Sequence, residues 1–246
     1  MRNYYPNFFK QFIHIYPLKS TLGRFWQVSL DFLFPRKCLG CDKNGTWLCP
    51  ACLDRLPRSY SPTEDKIFSV FEYGTPVMKQ VIWRLKYKRS LELAETLARP
   101  MYETLIEELC EKSYFVQLSP TSHQPQAKII LIPAPLSPAR YRSRGYNQAE
   151  ELARQIARLN PDQFEVRTDI IKKIKDTPTQ VSIKNREARL KNLKDAFVVR
   201  YPISQNKTIF VIVDDVSTTG ATISEIHQLL ARSGCRNVYG LVVAHG

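Results

Sequence analysis

Hydrophobic positions along this chain follow two rhythms that alternate. Continuous or alternating apolar runs at 67–73, 128–132, 209–213 and 238–244 read as β-strands. Between them apolar residues recur every three or four positions, the spacing of one helical face. Val77, Val81, Ile82 and Leu85 mark a helix opening at Pro76, with Lys79, Arg84, Lys86, Lys88 and Arg89 on its other face. Leu93, Ala94, Leu97, Met101, Leu105 and Ile106 mark a second helix over 91–109. Ala149, Leu152, Ala153 and Ile156 mark a third over 148–159, and Ile223, Ile226 and Leu230 a fourth that stops at Gly234. A short helix carrying Leu22, Phe25, Trp26, Leu30 and Leu33 is expected over 21–34, and another over 186–193. Ile170, Ile171 and Ile174 suggest a strand, as does 196–199. Residues 119–126 and 176–180 read as loops.

The run Ile209 to Val213 contains no polar residue, which marks a strand buried on both faces, as in a parallel sheet. Strands alternating with amphipathic helices predict an α/β domain, and the last strand is expected beside the 209–213 strand. With 246 residues and 43% apolar content, the chain is long enough for one such domain plus a small appendage.

Charge narrows the partners. The net charge is +13, from 36 basic and 23 acidic residues, and 16 basic against eight acidic residues fall within 128–200. Anionic partners such as polyphosphates or nucleic acid suit that balance, although a basic solvated face has the same composition. Tyr141 and Tyr146 stand in this basic region and are available for base stacking. The aromatic-rich residues 1–18 are interrupted by Lys10, His14 and Pro17, so a signal peptide is not expected, nor is a membrane span.

Four of the six cysteines form two CxxC pairs, Cys38/Cys41 and Cys49/Cys52, seven residues apart. Each pair can bring two thiolates to one ion, and the four make a tetrahedral set suited to structural Zn²⁺, with Trp47 and Leu48 expected to cover it. Asn44-Gly45 supplies the turn between them. Paired CxxC motifs favour metal over disulfides and hence a reducing, cytoplasmic setting. Cys110 and Cys235 are expected to be plain buried thiols. The Pro57, Ser59, Ser61, Pro62 stretch reads as a linker after this module.

Two stretches carry candidate chemistry. The first is TIFVIVDDVSTTGAT, Thr208 to Thr222, in which the apolar strand ends in Asp214 and Asp215 and a Ser/Thr/Gly turn leads into a helix. Such a turn can wrap a phosphate with backbone N–H groups and hydroxyls, and the helix N-terminus adds partial positive charge. The carboxylates can bind sugar hydroxyls or the Mg²⁺ of a polyphosphate. Asp, Thr and Gly also serve as ordinary turn and cap residues, so each alone would mean little. The second stretch is the strand end Pro133-Ala134-Pro135, followed by a Pro/Gly-bearing loop with Arg140, Arg142 and Arg144 before Gly145-Tyr146-Asn147-Gln148. Ligands of open α/β sheets sit beyond strand carboxyl ends, and Arg binds phosphate oxygens bidentately.

The strand, acid pair and Thr-Gly-x-Thr turn resemble the signature of the type I phosphoribosyltransferases. Adding IPxP, RxRxRGYNQ and the N-terminal cysteine knuckles, the chain from about residue 30 onward resembles the ComF family, which is associated with competence for DNA uptake. The chain is expected to divide into a tail with a short helix at 1–34 and a Cys₄ zinc module at 35–57, followed by what the resemblance implies is a phosphoribosyltransferase-like domain at 63–246. In that domain a parallel sheet is flanked by helices. Asp214 and Asp215 would hold the ribose hydroxyls of phosphoribosyl pyrophosphate (PRPP). Val216 and Ser217 would lead into a cradle for its 5′-phosphate formed by Thr218, Thr219, Gly220, Ala221 and Thr222. Pro133, Ala134, Pro135, Arg140, Arg142 and Arg144 would serve the pyrophosphate and the loop closing over it. Many base-salvage members carry Asp where this chain has Thr218, so purine salvage is not implied. Two functions follow as expectations. One is Mg²⁺-dependent phosphoribosyl transfer to an unspecified acceptor. The other is a non-catalytic adaptor for DNA uptake that holds single-stranded DNA or a partner helicase.

Overall fold

The computed structural model describes residues 35–59, 66–111, 128–176, 193, 195–200 and 208–246. The expected helix at 21–34, the loop at 119–126, most of the loop at 176–180 and most of the helix at 186–193 lie outside these residues, as does 1–18. By internal contacts the chain falls into two compact units, Met1–Cys49 and Pro50–Gly246.

In the second unit the described elements are α1 (Pro50–Asp54), β1 (Ile67–Glu72), α2 (Pro76–Tyr87), α3 (Leu91–Leu109), β2 (Lys128–Pro133), α4 (Pro138–Arg144), α5 (Gln148–Leu159), β3 (Phe164–Val166), β4 (Ile171–Lys173), β5 (Phe197–Val199), β6 (Thr208–Ser217), α6 (Ala221–Arg232) and β7 (Val238–His245). Five strands form one parallel sheet in the order β1-β7-β6-β2-β3, and β4 and β5 pair as a separate antiparallel ribbon. Among the described residues, no helix is long and apolar enough to cross a membrane.

The middle of the sheet is dry. Ile209, Phe210, Val211, Ile212 and Val213 are each at most 1% exposed, as consecutive residues can be only when both faces of a strand are covered. Phe210 and Ile212 share a core cluster with Ile223, Ile226 and Leu230 of α6. Strand alternation turns Ile209, Val211 and Val213 to the other face, where α3 and α5 pack on the sheet and on each other. Gly240 of β7 lets α6 approach, because a Cβ there would stand 2.6 Å from Ile223 Cγ2.

Several local details depart from the sequence-based expectation. In α2 the buried residue of the first turn is Met78, with Val77 half-buried, and in α3 Leu109 is buried while Ile106 is half-buried. The stretch expected to be a linker begins as backbone paired to β1: Ser59 N–H donates to Val70 O at 3.1 Å and Glu72 N–H to Pro57 O at 3.0 Å. This pairing covers the outer edge of the sheet. Strand β3 has only three residues and a mixed burial pattern, too short for its periodicity to stand out. In the ribbon, Ile171 and Lys173 face inward and Ile174 is 52% exposed, so the apolar triplet does not share one face. Cys235 is buried but Cys110 is only half-buried.

Because Gly240 admits the α6 side chains, Gly240→Val forces Ile223 aside. It is expected to lower the unfolding free energy by ~1–3 kcal/mol, the usual range for overpacking. Urea denaturation with an unchanged m-value and a lower midpoint is the expected observation.

Candidate functional site

The register of the central strands sets the site. Pro133 of β2 stands beside Val213 of β6, and Ala134 N–H donates to Val213 O at 2.8 Å. The Pro133-Ala134-Pro135 turn and the acid pair therefore lie side by side at the carboxyl end of the sheet, where open α/β sheets bind ligands. Asn147 fixes this turn from the other side. Its Nδ2 donates to Ala134 O at 3.0 Å, while its Oδ1 accepts from Ala149 N–H at 3.1 Å as the N-cap of α5.

Strand β6 does not end at the carboxylates as the sequence suggested. It runs on through Ser217, held by β7 through the Val216–Ala244 and Ser217–His245 positions. The turn is thus only Thr218 to Gly220. Ser217 Oγ accepts from Gly220 N–H at 3.2 Å to close it, and Gly220 takes φ 71°, a left-handed conformation that suits glycine. Helix α6 then starts with no side-chain cap hydrogen bond among the described residues. Thr219 Oγ1 is buried without a hydrogen-bond partner among the described residues. Asp214 and Val216 through Ile223 line one concavity above the turn. Beside it His245 Nδ1 is also buried without a partner, and burial holds this imidazole below its ordinary pKa.

The acid pair is tightly held. Asp214 Oδ1 accepts from Asp215 N–H and Asp215 Oδ1 from Val216 N–H, both at 2.8 Å. Asp215 is 3% exposed, and its Oδ2 receives no aligned hydrogen bond among the described residues. It is met instead by the ammonium of Lys86, from α2, at 3.2 Å. Burial, and then the neighbouring Asp215 charge, push the Asp214 carboxyl up to about 7. Burial alone would lower the Lys86 ammonium, but the charges of Asp215 and Asp214 outweigh it and hold the pKa above its ordinary value.

Two further cations complete the surroundings. Burial and then the Arg144 charge lower the Arg140 guanidinium, which lies in the field of Asp214. Lys173 on β4 is 6% exposed, with its Nζ 5.3 Å from the Phe197 ring centre. Burial and then Arg140 bring its amine down to about 8, against the opposing pull of Asp214 and Asp176. The expected Arg-bearing loop is a helix, α4. Ser137 caps it by accepting from Arg140 N–H, Pro138 occupies its first turn, and Gly145 ends it at φ 75°. Arg144 donates to Gln148 Oε1 at 2.9 Å, while Arg142 points to solvent. Tyr146, expected on the surface for stacking, is buried. Its hydroxyl donates to Leu85 O and accepts from Arg89 N–H at 3.1 Å, and burial pushes the phenol to about 12. It ties down the C-terminal end of α2, the turn that carries Lys86.

Neither Lys86 nor Lys173 was singled out from the sequence. Helical periodicity places Lys86 on the polar face of α2, but a lysine stem can run along apolar surface and deliver its amine elsewhere. For Lys173 a signal existed: two-residue alternation from Ile171 puts it on the buried face of β4.

Cys38, Cys41, Cys49 and Cys52 bring their sulfurs within 4.8 Å of one another. The hairpin carrying the first pair is closed by Leu39 N–H to Trp47 O at 2.9 Å, and Cys49 N–H donates to Cys38 Sγ at 3.4 Å. Burial alone would raise the Cys38 thiol, but N–H groups of Cys49, Gly40 and Cys41 bring it down to about 6. Four close sulfurs with donors aimed at one of them fit a tetrahedral metal such as zinc.

No family model matches the chain. Curated relatives do. The DNA utilization protein YhgH of Salmonella typhimurium is 32% identical over 202 residues, covering 78% of this chain and 81% of the relative. Competence protein F of Haemophilus influenzae is 32% identical over 202 residues, covering 80% and 78%. Competence protein ComFC of Streptococcus pneumoniae is 36% identical over 104 residues, 42% of each chain. Identity sustained over about four-fifths of both chains, with a parallel sheet and a four-cysteine cluster in place, makes this chain a member of the ComF family.

Proposed function

We propose that the chain binds PRPP with Mg²⁺ at the carboxyl end of β6 and transfers its phosphoribosyl group, in support of DNA uptake. The observation that carries this reading is one concavity with two kinds of wall. On one side stand the buried, unpartnered Thr219 hydroxyl and the uncapped start of α6, both suited to a phosphate dianion. On the other stands Asp214, with the buried Asp215 next to it in the strand, suited to the ribose hydroxyls. Asp214 and Asp215 orient the sugar, the Ser217–Thr222 turn anchors the 5′-phosphate, and Arg140 with the Pro133-Ala134-Pro135 turn faces the pyrophosphate end. Bound Mg²⁺ supplies charge neutralisation for the departing pyrophosphate. Lys86, 3.2 Å from the Asp215 carboxylate, keeps it aimed.

The link to DNA rests on the relatives, whose names refer to competence and DNA utilization. With a net charge of +13, a single DNA strand and a DNA-uptake helicase are natural partners in the cytoplasm. The same features support a second reading, an adaptor that keeps the fold and binds DNA without turnover. Pyrophosphate release from PRPP, assayed with Mg²⁺ and a panel of bases, separates the two: release supports the transferase, and its absence with DNA binding retained supports the adaptor.

Replacing Asp214→Asn together with Asp215→Asn is expected to weaken PRPP binding by ten-fold or more on the order of charge-assisted hydrogen-bond losses. Calorimetry reads it, and unchanged affinity would remove the pocket from the account. Binding that needs the Asp214 carboxylate ionised strengthens as pH rises through about 7, the value to which Asp214 is raised. Lys86→Met removes a charge that favours ionisation, so the inflection of a calorimetric pH series is expected to move upward. An inflection that stays in place would deny Lys86 its role.

The cysteine cluster is assigned to structural zinc, since it offers four thiolates and no carboxylate or imidazole. Cys38→Ser is expected to lose the metal, read as zinc per chain by atomic absorption. Retention of the full complement would contradict the assignment.

A further inference from the structure

We propose that the outer face of α2, with Arg144 of α4, is a stacking platform for single-stranded nucleic acid. Trp83 and Tyr87 are 51% and 54% exposed although they are large aromatics. One helical turn apart, they share a face, with ring centres 5.8 Å apart and planes at 45°. Cations flank both: Lys88 Nζ lies 5.5 Å from the Trp83 ring centre and the Arg144 guanidinium 5.1 Å from that of Tyr87. The amphipathic fold of α2 does not force this exposure. Met78, Val81, Ile82 and Leu85 already fill its inner face. Tyr141 on α4, three residues before Arg144, adds a third ring at 52% exposure.

The chemistry selects the occupant. Unpaired bases stack on aromatic faces while their phosphates pair with the cations beside the rings. A hydrophobic protein surface would instead bury Lys88 and Arg144 without counterions, which is costly. A duplex offers phosphates but keeps its base faces stacked internally, so the platform distinguishes single strands from double. The inference deepens the proposed DNA role and is independent of whether PRPP is bound or turned over.

The test uses the full chain and fluorescence anisotropy of a labelled oligodeoxythymidylate across a salt series. Trp83→Ala and Tyr87→Ala are each expected to weaken binding on the order of ten-fold, with the unfolding midpoint unchanged. Trp83→Phe, which keeps a ring, is expected to recover much of the loss. Lys88→Gln with Arg144→Gln is expected to reduce the salt slope by roughly 1.4, the share of two single-strand phosphate contacts. The matching duplex is expected to bind more weakly than the single strand. Equal binding by the wild type and both alanine variants would overturn the platform and leave the DNA role standing. No binding by the wild type at low salt would overturn both. A dimer that Trp83→Ala dissociates, with strand affinity unaffected, would make this face a contact between copies and overturn the platform.

Discussion

A carboxylate cannot remain charged in a dry interior without a counterion, and Asp215 sits just beyond the fully buried run of the central strand. The neighbourhood answers that requirement. Helix α2 must bring Lys86 within 3.2 Å, so the end of α2 must be fixed, and the buried Tyr146 hydroxyl fixes it by joining Leu85 and Arg89. Tyr146 in turn follows Gly145, whose left-handed turn closes α4. One ion pair thus ties together the central strand, the first helix of the sheet domain and the arginine-bearing helix. Buried pairs of this kind add little net stability but are costly to break. The pair therefore serves to hold a geometry more than to strengthen the fold.

The other half of the pocket follows a different logic. Ser217 belongs to the strand, so only three residues are left to turn the chain into α6, and Gly220 supplies the backbone conformation that this requires. The start of α6 carries no side-chain cap among the described residues, and the Thr219 hydroxyl is buried beside it without a hydrogen-bond partner there. On the acid side Asp215 is paired with a lysine, while on the turn side a buried hydroxyl has no partner among the described residues. Such an asymmetric pocket suits a ligand with hydroxyls at one end and negative charge at the other.

Much of this was legible in the sequence. The unbroken apolar run before Asp214 gave away a strand buried on both faces, and the paired CxxC motifs gave away the sulfur cluster. What escaped had physical reasons. Lys86 was hidden because periodicity reports where a Cα lies, and a flexible stem carries its amine beyond that. The helix at Pro138–Arg144 was masked by its own punctuation: Pro and Gly mark loops in general, but here they stand at the first turn and the C-cap, where helices tolerate them. Tyr146 looked like a surface ring because its neighbours are polar. Only the three-dimensional proximity of Leu85, some sixty positions earlier, explains its burial.

The order of strands has a consequence for how the molecule is made. Among the described strands, β1 joins the sheet only through β7, which inserts between β1 and β6. The earliest strand to leave the ribosome therefore waits for the latest before it finds its neighbour. Until then Phe68, Val70 and Phe71, all buried in the finished domain, have no sheet to join. Pairing across so much intervening chain is slow, and an apolar segment left waiting invites misassembly. Nascent chains of this topology are natural clients for chaperones that shield such segments during translation.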